Sequence, residues 1–220
     1  MGCSSGPDII QDGLVLCLDA ASKRSYASGN TWTDLKSGYN ATLVNGPTFS
    51  SDNGGILRFD GTNQRADLSV PHTFSAISML FFIKYRSPQN TGWKFAIDTF
   101  TNGNTHRFTF HSSTNGGTNM AIWMGGGADL IMETYPLDEW VCHGATWDGS
   151  NLIAYKNGEN IASTTKTRSS FSLENTIGIA ARYQNGYYNN LDFGNILIYD
   201  HALTADEVRQ NYLSTKERFA

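Results

Sequence analysis

"SAISMLFFIKY", Ser75 to Tyr85, is the stretch that decides the fold. Its apolar side chains occupy both alternating sets, with Ile77, Met79, Phe81 and Ile83 on one and Leu80 and Phe82 on the other. Successive strand residues point to opposite faces, so a run that is apolar on both reads as a central strand covered on each side. Two stacked layers follow.

Outward from it, strand patterns recur at Leu14 to Leu18, Leu57 to Phe59, Lys94 to Thr99, Arg107 to His111, Ala121 to Met124 and Trp140 to Trp147. Others run from Leu152 to Lys156, Asn160 to Ser163, Thr176 to Ala181 and Phe193 to Tyr199. That many short strands make a sandwich. Asn157 and Gly158 in "KNGE" stand where a two-residue hairpin needs positive φ, and "WDGSN" (147–151) closes the preceding pair. Trp140 and Trp147 fall on opposite sides of their strand by parity.

Near the amino terminus, "GLVLCLDAASKRSYASGNTWTDL" (13–35) runs from an alternating strand into a polar segment carrying Trp32. That tryptophan reads as a plug at the rim of the core, its indole N–H bonded outward. "GNTWTDLKSGYN" and "FTNGNTHRFTFHSSTNGGTN" read as long surface loops. One helix stands out in "ALTADEVRQNYLS": Thr204 and Glu207 form a capping box, and Leu203 packs on Val208 as a hydrophobic staple.

Composition agrees with an all-β chain. At 220 residues, with 22 glycines and 16% charged residues, short strands and turns are favoured over helical bundles, in a single domain. We expect a flexible N-terminal segment over 1–12, the domain over 13–213 and a charged tail over 214–220. The net charge of -4, with Lys and Arg scattered, argues against nucleic acid. No apolar run is long enough for membrane insertion, and "MGCSSGPD" lacks the regions of a secretory signal. It also places Gly6 where N-terminal acylation calls for Ser or Thr, so modification at Gly2 or Cys3 is not expected. Cys17 and Cys142 lie in apolar strands and read as buried free thiols.

Sugar recognition needs aromatic faces together with amides and charged groups that reach hydroxyls. "RYQNGYYNN" supplies Arg182, Tyr183, Asn185, Tyr187, Tyr188, Asn189 and Asn190 in one loop, and this is the candidate ligand-binding site. Trp93 is a further platform, and Trp123 joins it if its strand faces the same way. The five histidines are isolated, no phosphate loop or nucleophile elbow occurs, and no enzyme is expected.

The order of "DGLVLCLDAA", "TWTDLKSGYNATLVNGPTF", "GGILRFDGTNQ", "EWVCHGATWDGSNLIAYKNGE" and "ILIYDHALTADEVRQNY" resembles the laminin G-like, or concanavalin A-like lectin/glucanase, domains over Pro7 to Tyr212. The resemblance is nearest to single-domain forms encoded by marine bacteriophages. It implies a jelly roll of two antiparallel sheets with one short C-terminal helix, in which the first strand lies beside "FGNILIY". It further implies a non-enzymatic virion structural protein, a capsid decoration or fibre-tip domain assembled in the host cytoplasm. Its partners would be other virion proteins or copies of itself, with cell-surface glycan as a further contact. A carbohydrate-binding lectin module is the alternative, and glycoside hydrolysis ranks last.

Laminarinase-type glucanases need carboxylates at alternate positions of one strand. Asp129, Glu133, Asp138 and Glu139 have the wrong spacing and read as turn and surface residues. No cofactor is required. Relatives of this fold often hold a structural calcium through an acidic pair before the "IY" motif, where this chain has Gly194 and Asn195. Asp60, Asp98 and Asp192 are then the remaining oxygen ligands.

Overall fold

The structure is a computed structural model and describes residues 7–87, 92–99, 107–112, 119–126, 128–134, 136–173, 177–182 and 186–220. The first sheet contains β1 (Leu14–Asp19), β4 (Thr48–Ser50), β5 (Ile56–Asp60), β8 (Ile77–Tyr85), β13 (Trp140–Trp147), β14 (Asn151–Lys156), β15 (Glu159–Thr165) and β18 (Asn190–Tyr199). Their order is β15-β14-β13-β8-β18-β5-β4, and β1 also pairs with β18. The second sheet contains β2 (Thr31–Trp32), β3 (Ala41–Val44), β6 (Arg65–Leu68), β9 (Phe95–Thr99), β10 (Phe108–Ser112), β11 (Asn119–Met124), β12 (Leu130–Thr134) and β17 (Ile177–Ile179). It runs β12-β11-β10-β9-β17-β6-β3-β2. A small pair, β7 (Thr73–Phe74) and β16 (Phe171–Ser172), stands apart. This is the expected jelly-roll sandwich, with all its named pairings antiparallel between neighbouring strands.

β8 is central, between β13 and β18. Ile77, Met79, Phe81, Ile83 and Tyr85 point into the core between the sheets. Leu80 and Phe82 point outward, and both are buried under the C-terminal residues. The helix α1 (Ala205–Thr215) begins at the capping box: Thr204 accepts from the Glu207 N–H, and the Glu207 carboxylate accepts from the Thr204 N–H. Leu203 and Val208 pack with Leu80 on the outer face.

Residues from both terminal segments, Ile9 and Ile10 from 1–12 and Phe219 from 214–220, pack onto the domain. Ile9 and Ile10 pack beside Leu14 and Leu203, and the Ile10 N–H donates to Asn211 Oδ1. Phe219 is buried against Phe82, Cys142 and Ile56, because these outward apolar side chains need cover that the helix alone does not give. Arg218 donates from Nη1 to both oxygens of Asp19.

β18 carries a break between Phe193 and Ile196; β5 pairs with its first half and β1 with its second. At the break, Asn195 Oδ1 accepts the Phe82 N–H at 3.2 Å, replacing a lost ladder bond. A Cβ on Gly194 would lie 2.2 Å from the Phe219 ring. The Gly-Asn pair thus seats the C-terminal ring.

The chain crosses from the first sheet to the second between β1 and β2, where Trp32 is fully buried in the core. Its indole Nε1 makes no hydrogen bond among the described residues, contrary to the outward bond expected, because the whole ring turns inward. Asp34 organises the crossing: its carboxylate accepts from the N–H groups of Cys17, Lys36, Ser37 and Tyr39 at 2.8 to 3.1 Å. Cys17 and Cys142 are free and buried, and burial pushes each thiol up to about 12.

Candidate functional site

Strands β9, β10 and β11 run side by side, and their register sets what the outer face of the second sheet presents. Asp98, Thr109 and Trp123 are directly opposite one another across three strands, as are Phe95, His111 and Ala121. Alternation sends Phe108, Phe110, Met120, Ile122 and Met124 into the core. The other set lines an open groove of about 220 Å³ on the outside: Trp93, Phe95, Arg107, Thr109, His111 and Trp123.

Its walls are aromatic. The Trp93 ring lies nearly parallel to Phe95 at 6.1 Å and sits 4.9 Å from the His111 ring. Tyr187 meets Phe95 edge-on at 5.8 Å. Trp93 is 38% and Tyr187 45% exposed, which leaves apolar surface open to a ligand. Tyr187 adopts φ 55°, a left-handed conformation unfavourable for a bulky residue, and such strain gathers at functional sites.

The floor is ionic. Asp98 is fully buried and accepts from Arg107 Nε and Thr109 Oγ1, each at 2.7 Å, while Arg182 Nε lies 3.8 Å away. The Arg107 guanidinium sits between Phe95 at 5.3 Å and Trp123 at 5.6 Å, and Arg182 lies 6.0 Å from the Tyr187 ring. Cation–π contacts of this kind fix the rings as well as the charges.

The residues expected in one loop are divided by the structure. Arg182, Tyr187 and Trp93 come together around Phe95. Asn189 is buried and donates to the Phe95 carbonyl. Tyr188 interacts with Arg65, and its carbonyl accepts from Lys94. Asn190 belongs to β18 and faces another groove. Tyr183 and Asn185 lie outside the described residues. Sequence reasoning did not mark Phe95, Arg107, Thr109 or His111 as site residues; the alternation of Arg107, Thr109 and His111 against Phe108 and Phe110 was the signal available.

The other groove, of about 440 Å³ beside the first sheet, includes Asp60, Asn190 and Asp192. Asp192 is buried there, with Arg86 Nε at 3.1 Å and Arg58 Nε at 3.6 Å. Burial raises its pKa, and both arginines oppose that shift. Asp52 pairs with Arg58 and Asp138 with Arg86, so the charges alternate and compensate one another. Calcium does not fit the three carboxylates proposed for it. Asp98 and Asp192 each face two guanidinium groups, Asp60 caps its own turn through the Thr62 N–H, and no three acidic, His or Cys side chains converge among the described residues.

Glu133 differs from the surface role expected of it. It reaches from β12 to His143, whose Nε2 lies 3.1 Å from its Oε1, and it pairs with Lys156. Tyr85 O–H lies 3.3 Å from His143 Nδ1, completing a chain of contacts between the two sheets. Burial pushes the Glu133 carboxyl up, but the hydrogen bonds from His143 and Lys156 outweigh it and leave the pKa below the ordinary value. Burial lowers the pKa of His143.

Among solved structures, the fold is similar to Trypanosoma rangeli sialidase in complex with 2,3-difluorosialic acid (TM-score 0.75, 14% identity), over 97% of this chain and 35% of that one. It is also similar to the binding domain of botulinum neurotoxin serotype G (TM-score 0.69, 17% identity, 90% of this chain and 50% of that one). The receptor binding domain of botulinum neurotoxin D is similar as well (TM-score 0.71, 15% identity, 91% and 52%). The chain therefore spans about a third to a half of these proteins. No curated protein matches the sequence. A family model described as the concanavalin A-like lectin/glucanases superfamily matches residues 60–209, more than half of the sequence, and covers β8, the groove strands and the start of α1. The chain belongs to that superfamily.

Proposed function

We propose that the chain is a non-catalytic carbohydrate-binding module of the lectin type, which holds a sugar against the outer face of its second sheet. The observation that carries this reading is Trp93, an exposed indole lying parallel to Phe95 at the mouth of a groove whose floor is the Arg107–Asp98 pair. Flat aromatic faces suit the C–H faces of a pyranose, and the polar floor suits its hydroxyls. Asp98, beneath the groove, is fully buried and held by Arg107 and Thr109, which does not suit it to serve as one of the two acids with which glycosidases flank the scissile bond. The receptor-binding domains among the fold's neighbours support a binding role at the level of fold.

The setting we propose for the module is the surface of a phage particle, assembled in the host cytoplasm and held to other virion proteins. Copurification of the chain with assembled particles supports that setting, and its absence from them removes it.

A glycan array tests the binding role. Wild type binds a defined set of sugars, and the Trp93→Ala, Tyr187→Ala double variant loses that binding while keeping its thermal midpoint. A wild type that binds no sugar overturns the reading, as does steady release of reducing sugar from a bound glycan.

A further inference from the structure

Edge strand β12 is fastened by two acid–histidine contacts that leave it in different directions. Just before its start, Asp129 Oδ1 lies 3.4 Å from Nε2 of His111 on β10, within the same sheet. Near its end, Glu133 Oε1 lies 3.1 Å from Nε2 of His143 on β13, in the other sheet. Both histidines are closed off from water, at 1% and 0% exposed, whereas the two carboxylates are partly exposed.

Little else holds the strand. It is the outermost of the second sheet and its ladder is with β11, in a register broken between Ile131 and Glu133. Of its side chains, Leu130 and Met132 enter the core, while Ile131 is 44% exposed. Segments with few buried apolar contacts open locally at a lower free energy than the fold as a whole. Opening of β12 lets water reach His143 and makes β11, which carries Trp123 into the groove, the new edge.

The groups around His143 set the sign. Among the described residues, Glu133 from β12 and Lys156 from β14 are the charged ones, and Tyr85 from β8 is the other that titrates. A carboxylate only accepts, so Nε2 carries the ring proton and Nδ1 accepts from the Tyr85 O–H. Burial, helped by Lys156, lowers the pKa of the closed ring below its ordinary 6.5 against the pull of Glu133. The open strand leaves the ring in water, where it binds a proton that the closed site refuses. Opening therefore becomes more favourable as pH falls below 6.5. Glu133, whose closed pKa is also lowered, adds to the same trend below its ordinary 4.5.

We infer that β12 is a proton-sensitive latch, which detaches from β11 on acidification ahead of the rest of the fold as His143 takes up a proton and Glu133 lets go of it.

Hydrogen exchange of the full chain, resolved to single amides and corrected for the intrinsic rate at each pH, tests this between about pH 7.5 and 5. In wild type the amides of β12 open more readily than those of β10 and β14, and their opening rises by at most about tenfold for each pH unit below the ordinary histidine value. In His143→Gln, which keeps a donor for Glu133 and an acceptor for Tyr85, that rise is lost. Amides of β12 that open no more readily than those of β10 overturn the inference, because the strand then unfolds only with the whole. Opening that does not change with pH overturns it too, and both of these arms need only the wild type should the variant fail to fold. Persistence of the rise in His143→Gln assigns the proton to another group and overturns the latch.

Discussion

Phe219 stacks on Phe82, with ring centroids 4.5 Å apart and planes 16° from parallel. The second-last residue of the chain thereby covers the outward face of the central strand, and Gly194 is the opening that lets it in. Phe219→Ala leaves Phe82 and Trp140 uncovered and costs about 3 kcal/mol. Gly194→Ala overpacks the same seat and costs roughly 1 to 3 kcal/mol. Because both act on one contact, the double variant is more stable than the sum of the two predicts. Denaturant unfolding of all four proteins checks this, and strict additivity would contradict the seat.

Asp34 holds the crossing between sheets through four backbone N–H groups. Asp34→Ala strands those donors at a residue that is 6% exposed, and destabilises by roughly 2 to 4 kcal/mol. Replacement of the neighbouring exposed Lys36 by Ala changes stability by less than about 0.5 kcal/mol. Paired thermal and chemical unfolding measures the difference.

Stability falls on acidification through the buried His143–Glu133 contact. His143 is held neutral in the fold, so the unfolded chain takes up a proton more readily, and stability is lost as pH drops below the ordinary histidine value of 6.5. Glu133 has a lowered folded pKa, so its contribution is present above its ordinary value of 4.5 and is lost as pH falls through the folded one. His143→Gln flattens the slope of stability against pH between about 5 and 6.5. An unchanged slope in that window would refute the assignment.

Gly158 occupies φ 82° in the β14–β15 turn, beside Asn157 at φ 50°. An added Cβ would lie 3.2 Å from Tyr212 and Arg209 of the helix. Gly158→Ala therefore costs more than the conformational penalty of about 1 kcal/mol, because it pushes on the helix as well. Hydrogen exchange of the helix amides reports that second effect directly.

Much of the architecture was written in local patterns. The two-sided apolar run at β8 required a second layer, Asn157-Gly158 marked its hairpin, and Thr204 with Glu207 marked the helix start. Among the strands that escaped notice, β2 is two residues long, β6 alternates over only the four residues Arg-Ala-Asp-Leu, and β12 lies at a sheet edge just before Pro136. Such strands form because neighbours pair with them, which propensity does not record. The site was half legible for the same reason. Trp93, Arg182 and Tyr187 stand out as residue types suited to binding, whereas Arg107 and His111 become site residues only through the register of β10 against β9 and β11. Asn189 and Asn190 show the reverse case, polar residues in a promising loop that the fold uses elsewhere.

The chain has five tryptophans, and each indole N–H gives its own signal in a proton–nitrogen spectrum. Titration with the tightest glycan from the array should move the signals of Trp93 and Trp123 and leave those of the core residues Trp32 and Trp147, and of Trp140 beneath Phe219, in place. Movement of Trp140 with Trp93 and Trp123 unmoved would put the ligand on the opposite sheet and contradict the account.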